Sequence, residues 1–152
     1  MSAYDLPEPQ QNKAKKSREL GIWAEQHAKR LLQNEGYEVL AQNYHSRYGE
    51  IDLIAVRGEE LIFVEVKARS KTQMGQSFEV ITPQKQLKIF KTALKYIQEH
   101  ADLDRFYYRF DVICFDFKKE FAKNPQQTPT NVTYDLQWIE NAFTINADFI
   151  NL

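Results

Sequence analysis

Apolar positions along this chain alternate between helical and strand-like spacing, and the strand-like spacing is densest from Gly49 to Arg69. That stretch, GEIDLIAVRGEELIFVEVKAR, holds two apolar runs, Ile51–Val56 and Leu61–Val66, around the turn-prone Arg57-Gly58-Glu59-Glu60. β-Branched and aromatic residues on either side of a Gly-bearing turn predict a hairpin of two adjacent strands. Upstream, Leu20, Ala24, His27, Ala28, Leu31 and Leu32 share one helical arc. They predict a helix from Ser17 to Glu35, with Ser17 as cap, Gly36 as terminator and His27 as a packed histidine. Tyr37 to His45 reads as a first strand. Thr82-Pro83 opens a second helix, with Thr82 at the N-cap and Pro83 in the first turn. Leu87, Phe90, Ala93, Leu94 and Ile97 form its expected buried stripe, and Lys88, Lys91 and Lys95 its solvated face. Phe106–Phe117 and Val132–Ile139 read as further strands. This order predicts a single α/β domain over residues 17–152, a mixed central β-sheet flanked by helices. Residues 1–16 read as a disordered polar tail, and residues 70–77 and 118–130 as loops, the former placed to close over a substrate.

Into the hairpin's core-like strands are set Glu50, Asp52, Glu65 and Lys67. Ionisable groups rarely stand in buried strands unless they pair, bind metal or do chemistry. Alternation puts Glu65, Lys67 and Arg69 on one face with Phe63, and Glu50 and Asp52 on one face with Ile54 and Val56. If the two faces coincide, Asp52, Glu65 and Lys67 converge. Two carboxylates so placed repel unless a cation lies between them, and Mg²⁺ suits a pair of carboxylates. A cross-strand salt bridge to Lys67 is the plainer reading of the same residues.

Charge narrows the picture. With 20 Lys and Arg against 21 Asp and Glu the net charge is −1, so nucleic-acid binding has to rest on a local basic patch. Lys85, in the first turn of the second helix, is placed to meet a phosphate. Arg47, among the polar and aromatic residues 43–48, is a further candidate for a nucleic-acid backbone, although an ordinary surface loop explains that stretch as well. The single Cys114 reads as a buried strand thiol in a reducing compartment. With no signal-like or membrane-length apolar run, the expected location is the cytoplasm, with no membrane partner.

Asp52, twelve residues, then Glu65-Val66-Lys67 resembles the D…(D/E)xK motif of the restriction-endonuclease-like nuclease superfamily. Gly49-Glu50-Ile51-Asp52-Leu53-Ile54 followed by Phe63-Val64-Glu65-Val66-Lys67-Ala68-Arg69 resembles the YraN-like family, UPF0102, which is similar to archaeal Holliday-junction resolvases. The resemblance runs from about Gly21 to Phe143. It implies a restriction-endonuclease-like fold and a metal-dependent endonuclease, with Mg²⁺ or Mn²⁺ held by Asp52, Glu65 and the Val66 carbonyl. Lys67 would position the attacking water. Glu25, which the residues alone allow as an exposed i+4 partner of Lys29, becomes an auxiliary acid by the same resemblance. Lys85 matches a lysine of the family pattern, and Arg69 closes the motif as a nucleic-acid contact. Asp111, in an Arg-Phe-Asp run of the family's later strand, supports the sheet or pairs with Arg109. The implied partner is nucleic acid, DNA ahead of RNA, with branched or structured DNA as one candidate substrate beside linear DNA, and a homodimer left open. Two alternatives stand beside this reading: a nucleic-acid-binding module without cleavage, and an RNA-processing nuclease.

Overall fold

The computed structural model describes residues 8–69, 81–117 and 133–145, with side chains from residue 18 onward. The expected loops at 70–77 and 118–130 lie outside the described residues. The elements are α1 (Glu8–Asn34), β1 (Glu38–Ser46), β2 (Gly49–Arg57), β3 (Glu60–Arg69), α2 (Pro83–Glu99), a 3-10 helix (Ala101–Arg105), β4 (Tyr107–Phe117) and β5 (Tyr134–Phe143). The strands form one sheet in the order β1-β2-β3-β4-β5. Strands β1, β2 and β3 are a meander of antiparallel neighbours, β3 and β4 run parallel, and β5 returns antiparallel. A parallel pair needs a crossover, and α2 lies in it. The molecule is thus a single-domain α/β protein with a mixed five-stranded sheet between two helices.

Each helix covers one sheet face. Trp23, Ala24, Ala28 and Leu32 of α1 pack on Leu53, Ala55, Ile62, Val64, Ile113, Phe115 and Phe117. Ala24 and Ala28 have no bulk beyond Cβ, so α1 can lie close to the strands. Trp23 stacks on His27 at 3.9 Å and meets Phe115 edge-on at 5.3 Å, which fixes His27 as a packed residue. On the other face Ile89, Ala93, Tyr96 and Ile97 of α2 pack on Ile51, Ile54, Leu61, Phe63, Phe110 and Val112. Truncating a residue such as Leu32 or Ile113, both fully enclosed, is expected to cost about 2–5 kcal/mol.

Two boundaries, one short helix and one helix face differ from expectation. Helix α1 begins at Glu8 rather than Ser17, so it takes in residues 8–16 of the stretch assigned to the tail. Strand β5 extends to Phe143, beyond Ile139. The short helix Ala101–Arg105 has no apolar periodicity to announce it. The buried face of α2 is Ile89, Thr92, Ala93, Tyr96 and Ile97, with Leu87, Phe90 and Leu94 only half-buried. The face is rotated because Thr92 is hydrogen-bonded and Tyr96 finds a ring partner inside it. Thr92 donates to the Lys88 carbonyl at 2.9 Å and meets the Ser46 hydroxyl at 2.8 Å. Tyr96 packs edge-on against Tyr44 at 5.0 Å.

The Thr82 cap and the hairpin turn follow the sequence signals, whereas Ser17, expected to cap the first helix, lies inside α1. The Thr82 hydroxyl accepts the Lys85 N–H at 3.1 Å and Pro83 is the first residue of α2. Gly58, at φ +59°, supplies the left-handed position of the turn between Arg57 and Glu60.

Candidate active site

The β2–β3 ladder runs from Arg57↔Glu60 to Leu53↔Val64 and stops there. One residue further on, the Asp52 side chain takes over the role of the missing backbone partner: its Oδ2 accepts the Val66 N–H at 2.8 Å. Strict alternation also breaks at this point. Ile51 packs with Ile54 under α2, while Leu53 packs under α1. The Asp52 carboxylate therefore points along the sheet toward β3 instead of sharing a regular face with Glu50, as the alternation had implied. Glu50 is exposed and pairs with His45 at 3.3 Å.

Glu65 and Lys67 project from β3 toward the first turn of α2. The Lys67 Nζ lies 3.6 Å and the Lys85 Nζ 2.6 Å from the same Glu65 oxygen, Oε1. The Thr82 cap and Pro83 set the start of α2, and that start delivers Lys85 to Glu65. Val66 turns the other way, its side chain against the α1 cluster and its N–H on Asp52. Asp52, Glu65, Lys67 and Lys85 thus come together where β2 and β3 part.

The electrostatics are those of acids short of positive charge. Burial, then the charge of Glu65, push the Asp52 carboxyl up to about 7, with Glu25 and Glu50 adding to the repulsion and the Val66 N–H opposing it. This contribution from Glu25 places the α1 acid within electrostatic reach of the cluster. Burial and the neighbouring Lys85 ammonium hold Lys67 below the usual lysine range, against the pull of Glu65 and Asp52. Burial opposes the charge of Lys85 too, but its contact with Glu65 prevails and raises it.

Two other expected contacts have different surroundings. Arg69 makes a two-point pair with Asp116, Nε to Oδ1 at 2.8 Å and Nη2 to Oδ2 at 3.1 Å, with the side chain only 13% exposed. A guanidinium held this way is tied to the sheet. Arg47 is exposed at the β1–β2 turn, where its Nη2 donates to the Tyr48 hydroxyl at 2.6 Å. It lies apart from the carboxylates, beside the outer face of α2.

Among the described residues, no group of three or more His, Cys, Asp or Glu gathers as a metal cage. The donor set present is two carboxylates and the peptide of Val66, all hard oxygen donors on the acceptor side. That set fits a divalent ion such as Mg²⁺, which takes one or two carboxylates and keeps several waters.

Sequence reasoning missed the Lys85–Glu65 contact, because it treated Lys85 as free for phosphate. The signal available was the Thr82-Pro83 helix start, which fixes the first turn but not what that turn faces. Asp111 was read as a support or a partner of Arg109, and it is both. Its carboxylate, with no exposed side-chain surface, takes bonds from Arg109, from Trp138 Nε1 at 3.0 Å and from the Asn141 N–H at 2.9 Å.

The molecule is thus an α/β protein whose helix-flanked mixed sheet carries an acid at a strand parting and an acid-x-lysine on the neighbouring strand. The family model described as "Uncharacterised protein family UPF0102" matches residues 24–115. A UPF0102 protein of Acinetobacter baumannii (strain AYE) is 55% identical over 130 residues, covering 86% of this chain and 98% of the relative. One from Acinetobacter baylyi is 50% identical over 126 residues, 83% of this chain and 90% of the relative. One from Legionella pneumophila subsp. pneumophila is 38% identical over 127 residues, 84% of this chain and 96% of the relative. The chain belongs to the UPF0102 family.

Proposed function

We propose that this protein is a divalent-metal-dependent endonuclease of restriction-endonuclease-like fold, similar to archaeal Holliday-junction resolvases, acting on DNA and in particular on branched or structured DNA. The observation that carries the reading is the convergence of Asp52, Glu65 and Lys67 at the point where two strands of a mixed sheet separate. A sheet that only needed a salt bridge there would not also bury Asp52 beside a second carboxylate, an arrangement that burial and repulsion both oppose.

Asp52, Glu65 and the Val66 carbonyl would hold the ion. Bound there, Mg²⁺ or Mn²⁺ supplies Lewis-acid polarisation of a phosphoryl oxygen. Lys67 is partly buried and held below its usual range, so its ammonium gives up a proton more readily than a surface lysine. It positions the attacking water and stabilises charge that develops on the phosphate oxygens. Lys85 holds Glu65 in place until substrate arrives. Glu25 adds negative charge from α1 that favours a bound cation. Water adds to phosphorus, the bond from phosphorus to the 3′ oxygen breaks, and that oxygen leaves with a proton. The products are a 5′-phosphate and a 3′-hydroxyl.

One observation favours a rival reading. Lys85 already neutralises Glu65 at 2.6 Å, which suits a module that holds nucleic acid without cutting it. The test is a cleavage assay over branched DNA, duplex DNA, single-stranded DNA and RNA, with Mg²⁺, Mn²⁺ or EDTA. Metal-dependent cleavage that vanishes in Asp52→Asn supports the nuclease. Binding without cleavage under every metal condition supports the module. Cleavage of RNA alone moves the reading to RNA processing.

A further inference from the structure

A cavity of about 620 Å³ lies between the β1–β2 turn and the outer face of α2. Its walls bring together Arg47 and Tyr48 from the turn with Lys91 and Lys95 from the helix. In the sequence these lysines belong to a solvated stripe; in the fold they face a second element that also carries a cation. Tyr48 organises the pair. The Arg47 guanidinium lies 4.8 Å and the Lys91 ammonium 5.5 Å from its ring centroid. The Arg47 Nη2 also donates to its hydroxyl at 2.6 Å. Among the described residues neither Arg47 nor Lys91 has a carboxylate within ion-pair distance. Glu99, the acid in the wall, is shared by the Tyr44 hydroxyl at 3.0 Å and Lys95 at 3.9 Å. His45, also in the wall, pairs outward with Glu50.

The two walls are fastened to each other. The Ser46 hydroxyl accepts the Tyr48 N–H at 3.0 Å and meets the fully buried Thr92 hydroxyl at 2.8 Å. At Gly49 an added Cβ would stand 3.7 Å from the Lys88 Cβ, so the turn already lies against the helix. A cleft whose cations are held before binding loses less side-chain entropy when an anion arrives.

We propose that this cleft binds the sugar-phosphate backbone of a nucleic acid, with Arg47 and Lys91 as its phosphate contacts and Lys95 at its far end. The inference rests on the nucleic-acid reading above and extends the substrate track beyond the carboxylate site. Lys91 follows Lys85 by six residues, about 9 Å along the helix axis at 1.5 Å per residue. The same six residues turn Lys91 about 120° around the axis from Lys85 at 3.6 residues per turn, so a strand passing from the carboxylate site to the cleft wraps around α2. Contacts of this kind orient a substrate and are blind to base sequence.

The test measures binding of a labelled single strand and the corresponding duplex in EDTA, where nothing is cut, across a salt series. Lys91→Ala and Arg47→Ala should each weaken binding several-fold regardless of sequence. Each should flatten the slope of log affinity against log salt by about 0.7 to 0.9. Arg30→Ala, an exposed cation on α1 across the sheet, should change neither. Melting curves should be unaltered in all three, since none of these side chains is buried. Unchanged affinity and slope in both cleft variants overturns the cleft, and metal-dependent cleavage by those same variants would leave the nuclease standing. Binding that depends on Arg47 and Lys91 without cleavage under any metal keeps the cleft and removes the nuclease. Absence of binding to either probe overturns the cleft.

Discussion

Asp52 and Asp111 do the same mechanical job at two places in one sheet. Each stands where a ladder is interrupted, and each accepts a backbone N–H from the neighbouring strand: Val66 at 2.8 Å for Asp52, Asn141 at 2.9 Å for Asp111. At Asp111 the interruption is a register shift between Phe110 and Val112, with Asn141 at φ +51° on the opposing strand. What surrounds the two acids differs. Asp111 receives the Arg109 fork at 3.0 Å and the Trp138 indole, and Arg109 in turn reaches Glu60 and Tyr37. Asp52 receives the fields of Glu65, Glu25 and Glu50. A buried carboxylate with a full complement of donors and a guanidinium holds a sheet together. A buried carboxylate with other carboxylates beside it, whose nearby lysines Lys67 and Lys85 pair with Glu65, has no ion-pair partner of its own among the described residues. The contrast teaches which of two similar-looking buried acids to assign to chemistry.

The largest expected effect that tests this contrast is on turnover. Asp52→Asn keeps an oxygen for the Val66 N–H but removes the charge, so metal-dependent cleavage should fall by at least about a hundredfold. In metal-free buffer its melting temperature should be no lower than that of the parent. A large loss of stability with cleavage intact would make Asp52 a structural acid like Asp111, and the contrast would collapse.

Next comes stability at the other acid. Asp111→Ala leaves the Arg109 guanidinium, the Trp138 indole and the Asn141 N–H without their acceptor, and should cost about 3–5 kcal/mol in denaturant unfolding. A loss below about 1 kcal/mol would mean the Arg109–Asp111 network adds little.

A smaller effect is expected with pH. The folded Asp52 carboxyl titrates at about 7, well above an unfolded aspartate near 4. Between these values the folded chain holds a proton that the unfolded chain has released, so stability is full at the acid end and is lost as pH rises through about 7. Metal-free melting temperatures should therefore decline from pH 5 to pH 8 in the parent, and this component should be missing from Asp52→Asn. A parent and variant with parallel pH profiles would remove Asp52 as the source.

The smallest effect is the shift produced by the ion itself. Mn²⁺ at a large excess over its dissociation constant should raise the melting temperature by a few degrees, by mass action on the folded state. Equal shifts in the parent and in Asp52→Ala would place the ion elsewhere.

The comparison also explains what could be read from the chain. The hairpin was legible because Ile51–Val56 and Leu61–Val66 flank a Gly-bearing turn, and the convergence of Asp52 with Glu65-x-Lys67 followed from that hairpin. The direction of the Asp52 side chain was not legible. It depends on where the β2–β3 ladder stops, and hydrogen-bond registry leaves no trace in residue type. The buried face of α2 was misassigned because hydrophobicity favoured Leu87, Phe90 and Leu94. The fold instead buries Thr92 and Tyr96, whose polar groups and rings find partners only in the tertiary structure. For the same reason Arg69, read from its motif as facing a ligand, is held by Asp116 from the adjacent strand β4.

The parallel pairing of β3 with β4 has a consequence for the order of assembly. The three-stranded meander joins Asp52 and Glu65 through two short turns, so the chain can bring the two acids together by local contacts alone. Lys85 rides on the crossover, and docking α2 requires a much longer loop to close. Non-local closure of this kind is the slow part of folding. The acids therefore meet with only Lys67 of β3 beside them, before Lys85 arrives on α2. In stopped-flow refolding, Asp52→Asn should accelerate the folding arm, whereas Lys85→Ala should act on unfolding. The reverse pattern would mean that α2 docks first.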